Sequence, residues 1–161
     1  MRRPSPLPLS WFAALGAVLA VGGLAASPSV LSAGAGSAVR DAFSMLCHQI
    51  PSRSPHVHGA QWALCFRCVG IVGGLALGLA SALLARDAIE ALLARWGAGR
   101  TLVALALPAA IDWGLGVSGL WLNTPLSRVA TGAVLGLGAG WLLADALLSS
   151  PSPSSHLTPS T

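Results

Sequence analysis

Between Cys47 and Gly70 the chain reads Cys47-His48-Gln49-Ile50-Pro51-Ser52-Arg53-Ser54, then a spacer, then Cys65-Phe66-Arg67-Cys68-Val69-Gly70. This stretch holds all three cysteines, three of the four histidines and two arginines, in a chain of which only 9% is charged. Two thiolates spaced Cys-x-x-Cys can bind one metal ion or close a small disulfide. Cys47 and His48 upstream add a third thiolate and an imidazole. Cys47, His48, Cys65 and Cys68 therefore form a candidate Cys3His set, suited to zinc or another thiophilic ion. Side chains that are neighbours in extended backbone point apart, so His56 or His58 is an alternative fourth ligand.

The same sulfurs support a redox reading. Cys68 is expected to open a helix, whose N-terminal dipole together with Arg67 lowers a thiol pKa, and disulfides persist outside the cytoplasm. A Cys65–Cys68 disulfide exchanging with Cys47 would make a membrane thiol–disulfide oxidoreductase, with a layout like that of four-span disulfide-generating proteins that pass electrons to a quinone. Against it, three cysteines leave one unpaired and no second pair for a relay. A purely structural disulfide or metal staple uses the same residues for nothing but pinning the loop. Covalent c-type haem is excluded, because Val69 stands where that motif needs histidine, and no nucleotide-binding motif is present. No reaction is legible here, and a binding site is favoured over an enzyme.

The elements that must position these residues are hydrocarbon. Of 161 residues, 54% are hydrophobic, and the mean hydropathy is +0.72. The apolar residues gather into four blocks close to the ~20 residues needed to cross a bilayer core. The expected architecture is an all-α membrane protein, a bundle of four transmembrane helices over about 9–26, 68–85, 101–122 and 129–148. A long Cys/His-containing extracytoplasmic loop, 27–67, joins the first two. Residues 1–148 read as one membrane domain, and 149–161 as a disordered Ser/Pro tail in which His156 has no role. Nine arginines against five acids give a net charge of +4, but they are scattered, which excludes a nucleic-acid face.

Arg2 and Arg3 precede the first block, which reads as an uncleaved span in preference to a cleavable signal, being longer than the usual ~7–15-residue apolar core of one. Residues 27–38 read as a flexible loop. Val39, Phe43 and Leu46 recur at helical spacing and predict a short amphipathic helix on the membrane surface, leading into Cys47. Arg86 to Arg100 reads as a cytoplasmic interfacial helix ending at Gly97 or Gly99. Arg2, Arg3, Arg86, Arg95 and Arg100 then lie inside, against Arg40, Arg53, Arg67 and Arg128 outside. That places both termini in the cytoplasm of a multi-pass inner-membrane protein.

Two glycine ridges punctuate the spans. Gly70, Gly74, Gly78 and Ala82 lie four residues apart, as do Gly132, Gly136, Gly140 and Ala144; each ridge lets another helix approach closely. The second and fourth helices are expected to be the inner pair. The bilayer is the certain partner, and the ridges also offer a seam for a second copy or a membrane partner, as in a structural or assembly subunit. Asp112 falls near the middle of the third span, where an ionised side chain costs about 2.5–3.5 kcal/mol. Arg53, Arg67 and Arg128 project toward the same end and can neutralise both Asp112 and a metal–thiolate anion. A polar pathway for an ion or proton is the alternative, with Arg128 as a simple interfacial anchor another.

Cys47-His48-Gln49-x-Pro51-x-Arg53-Ser54, Gly59, Cys65-x-Arg67-Cys68-x-Gly70-Ile71 and Gly74 together resemble the motif of small bacterial membrane proteins termed domain of unknown function 2085. Ile111-Asp112, Asn123, Arg128, Thr131 and Gly132 extend the likeness, which covers about 40–140. Pro55 and Val72 depart from it, standing where the family tends to have an aromatic residue and a tyrosine. The resemblance implies an integral membrane protein in which these positions, Gln49 and Asn123 included, belong to one site. It implies no activity.

Overall fold

The computed structural model describes residues 8–149; the expectations for Arg2, Arg3 and the tail after Ser149 fall outside them. The described chain is mostly helical, with α1 (Leu9–Ala26), α2 (Ala33–Phe43), α3 (Phe66–Ser81), α4 (Arg86–Trp96), α5 (Ala98–Val117) and α6 (Pro125–Ser149). A small hairpin of β1 (His56–Val57) and β2 (Ala60–Gln61) lies between α2 and α3. Three segments, Leu9–Ser29, Ala98–Val117 and Pro125–Ser149, are long and apolar enough to cross a membrane. A fourth exists if α3 and α4, bent by 110° at their junction, count as one broken span. At ~1.5 Å per residue α3 alone is roughly 24 Å long, short of a ~30 Å hydrocarbon core. It ends at Ser81 because the chain then turns across the bundle: α4 opens with Arg86 and Asp87 and buries Ile89 against Trp11, Leu79, Ala82 and Ala144.

The pattern of burial is the reverse of a water-soluble protein. Glycine, alanine, Thr101 and Asp112 are inside, whereas Leu77, Val103 and Ile111 are 64%, 62% and 57% exposed. Lipid tails are as apolar as leucine, so burying leucine gains little in a bilayer and close packing of small residues drives helix association instead.

That packing centres on α3 and α6, which run parallel. A Cβ on Gly70 or Gly74 would fall on the backbone of Val129 and Ala133, and one on Gly78 on Leu137 and Gly140. Reciprocally, Gly132 faces the carbonyl of Arg67, Gly136 that of Ile71, and Gly140 Leu75 and Gly78. All six glycines are thus taken up by the backbone of the facing helix, with Gly78 and Gly140 meeting each other. On the far side of α6, Gly138 receives the Leu105 side chain of α5, while α1 lies on α3, with Gly22 against Val72. The Trp141 indole donates to Ser81 Oγ at 3.1 Å, a further tie between α6 and α3.

The connection from α1 to α3 is folded, not slack. α2 starts at Ala33, earlier than the apolar spacing predicts, and packs on the turn at Pro28, which the Cβ position of buried Gly36 faces. It ends at Phe43, so Leu46 lies past its end and is 75% exposed instead of sharing its apolar face. The α5 helix closes at Val117, short of the expected 122, where Gly119 adopts φ 73 just past the cap. Asp112 consequently sits near the C-terminal end of α5, not at its middle.

Adjacent glycines separate the packing argument from helix propensity. Gly74→Leu is expected to cost about 1–3 kcal/mol or more by overpacking a backbone contact, whereas Gly73, with nothing within 4 Å of its Cβ direction, should accept leucine without loss. Thermal unfolding of the two variants in detergent checks this; equal midpoints would refute it.

Candidate metal centre

The local sequence explains how the cysteine loop is held. Pro51 starts a single 3-10 turn through Arg53, and the Arg53 N–H donates to Ile50 O at 2.9 Å. Buried Ser54 donates its hydroxyl to the same carbonyl at 3.0 Å. The β1–β2 hairpin turns on His58 and Gly59, with φ of 51° and 78°. Two central residues in the left-handed region fit the twist of a tight hairpin. Gln49, also at positive φ, donates from Nε2 to Arg40 O at 2.6 Å and accepts at its carbonyl from Gln61 Nε2 at 2.6 Å. It thereby ties α2 to β2. Ala63 N–H donates to Ala25 O at 2.9 Å, and Ala63 and Leu64 are buried with Ala25, Phe43 and Cys47. The loop is thus clamped to the end of α1 just before Cys65.

Cys65 is the residue before α3 and Cys68 lies in its first turn, while Cys47 arrives from the end of α2. The three Sγ atoms lie within 4.8 Å of one another, and all three thiols are free. Cys65 and Cys68 Sγ are 3.5 Å apart, and the Cys65 N–H donates to Cys47 Sγ at 3.2 Å. An S–H shared with Cys68 lowers the Cys65 thiol from 9.0 to about 5, against the opposing effect of burial. The backbone N–H groups of Cys68 and Arg67 and the Cys47 side chain act in the same direction as Cys68. The lowering favours the Cys65 thiolate, the form in which sulfur binds a metal or attacks a disulfide.

A cavity of about 290 Å³ opens beside the sulfurs, lined by Cys47, Cys65, Cys68, His48, Gln49, Arg53, Arg67 and Arg128, with Leu46, Ile50 and Trp113. His48 lines this cavity and is exposed, but its ring is not one of the ligand atoms grouped with the sulfurs. Neither His56 nor His58 joins that group. His56 holds its Nδ1 proton on Ser54 O at 3.0 Å.

The polar residues expected to support the site meet it from three helices. Arg67, on α3, pairs with Asp112 of α5, which is buried. Asn123, on the return from α5 to α6, donates its amide N–H to the Asp112 backbone carbonyl. It fits there because Gly116 has no side chain: a Cβ would collide with the Asn123 amide. Arg128, in the first turns of α6, lines both the cavity and an adjoining cleft formed by Arg53, Arg67, Trp113, Gly116, Val117 and Asn123. Sequence reasoning missed Trp113 and Gly116. The second had a signal, since Asp112-x-x-x-Gly116 places a gap one helical turn from the charge.

Comparisons with known proteins agree with this picture of a helical membrane protein. An uncharacterized protein of the archaeon Methanocaldococcus jannaschii is 43% identical over 37 residues, which is 23% of this chain and 24% of that protein. The chain thus matches about a quarter of the length of that curated relative. No solved structure matches. Residues 47–142, more than half of the chain and including every cysteine, match the family described as predicted membrane protein (DUF2085). The chain belongs to that family of predicted membrane proteins.

Proposed function

We propose that the protein is a metal-binding membrane protein whose Cys47, Cys65 and Cys68 hold a thiophilic ion such as zinc, with His48 as the fourth donor. The observation that carries this is the convergence of three free sulfurs from two separate segments within 4.8 Å. Sulfurs around one zinc ion at ~2.3 Å stand about 3.8 Å apart in tetrahedral geometry, so the cluster needs little adjustment. The lowered Cys65 pKa favours the same use, because metal and proton compete for a thiolate. Cys65 N–H on Cys47 Sγ and the nearby guanidinium of Arg67 would offset the negative charge of a three-thiolate shell. The ion's role is structural or in metal handling.

The position of the site follows from a four-span reading with α3 as the second span, both termini in the cytoplasm of the inner membrane, and the cysteines at the outer surface. Arg86, Arg95 and Arg100 then face the cytoplasm, as the positive-inside rule prefers. Arg53, Arg67 and Arg128 are discounted as topological signals because they line one cavity.

A second reading, thiol–disulfide exchange at Cys65 and Cys68, draws on the 3.5 Å separation of their sulfurs and the low pKa of Cys65. A role as an assembly subunit through the glycine ridges has less support, because those glycines already receive the facing backbone of α3 or α6 within the chain.

Elemental analysis of detergent-purified protein should find about one equivalent of metal, near none in Cys47→Ser/Cys65→Ser/Cys68→Ser, and weakened retention in His48→Ala; equal content in wild type and the triple variant would sink the proposal. For the exchange reading, alkylation of Cys65 in reduced, metal-free protein is the measurement. A lowered pKa leaves the thiolate dominant above about pH 5, so the rate should be flat from neutral pH down to about pH 6 and fall below that. Cys68→Ser should move the midpoint upward, while a midpoint near the ordinary ~8.5 in the unsubstituted protein would remove the redox reading. For topology, Met45→Cys and Leu84→Cys, each 94% exposed as the native residue, are placed singly in a cysteine-free background. An impermeant thiol reagent should label the first in intact cells and the second only after permeabilisation; the opposite pattern would invert the bundle.

A further inference from the structure

The cavity holds more positive charge than the chain neutralises. Arg53, Arg67 and Arg128 line it and the adjoining cleft together. Asp112 is the carboxylate paired there, and it is joined to Arg67. Among the described residues neither Arg53 nor Arg128 makes an ion pair; the other pair, Arg86 with Glu90, lies on α4. The Nε atoms of Arg67 and Arg128 are buried without a hydrogen-bond partner. A buried charged donor left unsatisfied is costly, so both guanidiniums are held at the mouth short of acceptors within the chain, and both residues line the cavity.

A metal ion on the sulfurs does not remove the surplus. Three thiolates around a divalent ion leave one negative charge, and Asp112 adds a second, against three guanidiniums. A disulfide would leave the excess larger still. Guanidinium groups recognise planar or tetrahedral oxyanions by paired N–H donors, and phosphate is a favoured ligand. Leu46, Ile50 and Trp113 give the same cavity an apolar side.

We propose that this arginine-lined cavity binds an oxyanion of the phosphate class, held by the guanidinium groups of Arg53 and Arg128 with Arg67 adding positive charge, beside and independently of whatever occupies the cysteines. Two sources share that chemistry: a free inorganic oxyanion, and the headgroup of an anionic phospholipid whose chains would run down the bundle surface past Trp113.

The full chain in detergent is the test material. Equilibrium binding of radiolabelled inorganic phosphate should be saturable, and Arg53→Gln and Arg128→Gln should each weaken it by about tenfold or more. Arg100→Gln, on α5 and lining a different cavity, should leave it unchanged. If the natural ligand is a lipid, native mass spectrometry should instead find a co-purified anionic phospholipid that Arg53→Gln/Arg128→Gln loses and that phosphate does not displace. Arg67 is left intact so that its pair with Asp112 survives. Repeating the measurements on Cys47→Ser/Cys65→Ser/Cys68→Ser separates this inference from metal binding, since the anion should be retained there while metal is lost. Absence of both saturable phosphate binding and retained phospholipid would overturn the proposal. So would binding that survives the double arginine change, that falls equally in Arg100→Gln, or that disappears with the cysteines.

Discussion

Everything at the polar end of this protein depends on two helix backbones lying in direct contact. Gly70, Gly74 and Gly78 of α3 and Gly132, Gly136 and Gly140 of α6 each lie so close to the facing backbone that no Cβ would fit. A bilayer offers no hydrophobic reward for burying leucine, so this dense contact, made of many weak dispersion terms, supplies the attraction. Its parallel sense brings the start of α3, with Cys65, Arg67 and Cys68, level with the start of α6, with Arg128. Any side chain larger than hydrogen at the seam would separate the guanidinium of Arg128 from the sulfurs it lies beside.

Arg67 links that seam to the chemistry. Its carbonyl packs against Gly132, its guanidinium reaches Asp112 on α5, and its neighbour in sequence is Cys68. A carboxylate inside a membrane helix is unfavourable unless paired, so Asp112 holds α5 against α3 at the same end, and Asn123 closes over it in the gap left by Gly116. The other side of the site is built by the loop. Gln49 ties α2 to β2, and Ala63 ties the hairpin to Ala25. Cys47 is thereby delivered to two sulfurs that α3 already holds. The result is a mouth lined by three sulfurs and three arginines.

Much of this was legible in the chain because the relevant signals are local. Runs of leucine, valine and alanine imply membrane helices, and the Cys-His-Gln and Cys-x-Arg-Cys-x-Gly-Ile segments identify the family without reference to any contact. Other features were misread because they depend on where the chain turns. Leu46 continues the helical spacing of Val39 and Phe43, yet α2 has already ended. Asp112 looks central in an apolar run that extends to Leu122, but Gly119 stops α5 early and puts the carboxylate at the mouth. The second span is expected to run to Ala85, but α3 ends at Ser81; the separate helix expected from Arg86 is α4, and the 110° between the two is what the sequence did not give away. Trp113 gave no signal, since a tryptophan near a helix end is ordinary in a membrane protein.

The sequence by itself determined the class of protein, its family, the residue types available for chemistry and the four-residue period of its glycines. Each of these is a property of composition or of near neighbours along the chain. Only the tertiary structure decided which backbone each ridge meets, that Cys47 joins Cys65 and Cys68 while His48 stays outside their group, and that three dispersed arginines share one cavity, one of them paired with Asp112. Those are distances between residues tens of positions apart, set by helix packing and by the course of one loop. Hydrophobic period and spacing carry no information about them until the helices are brought together.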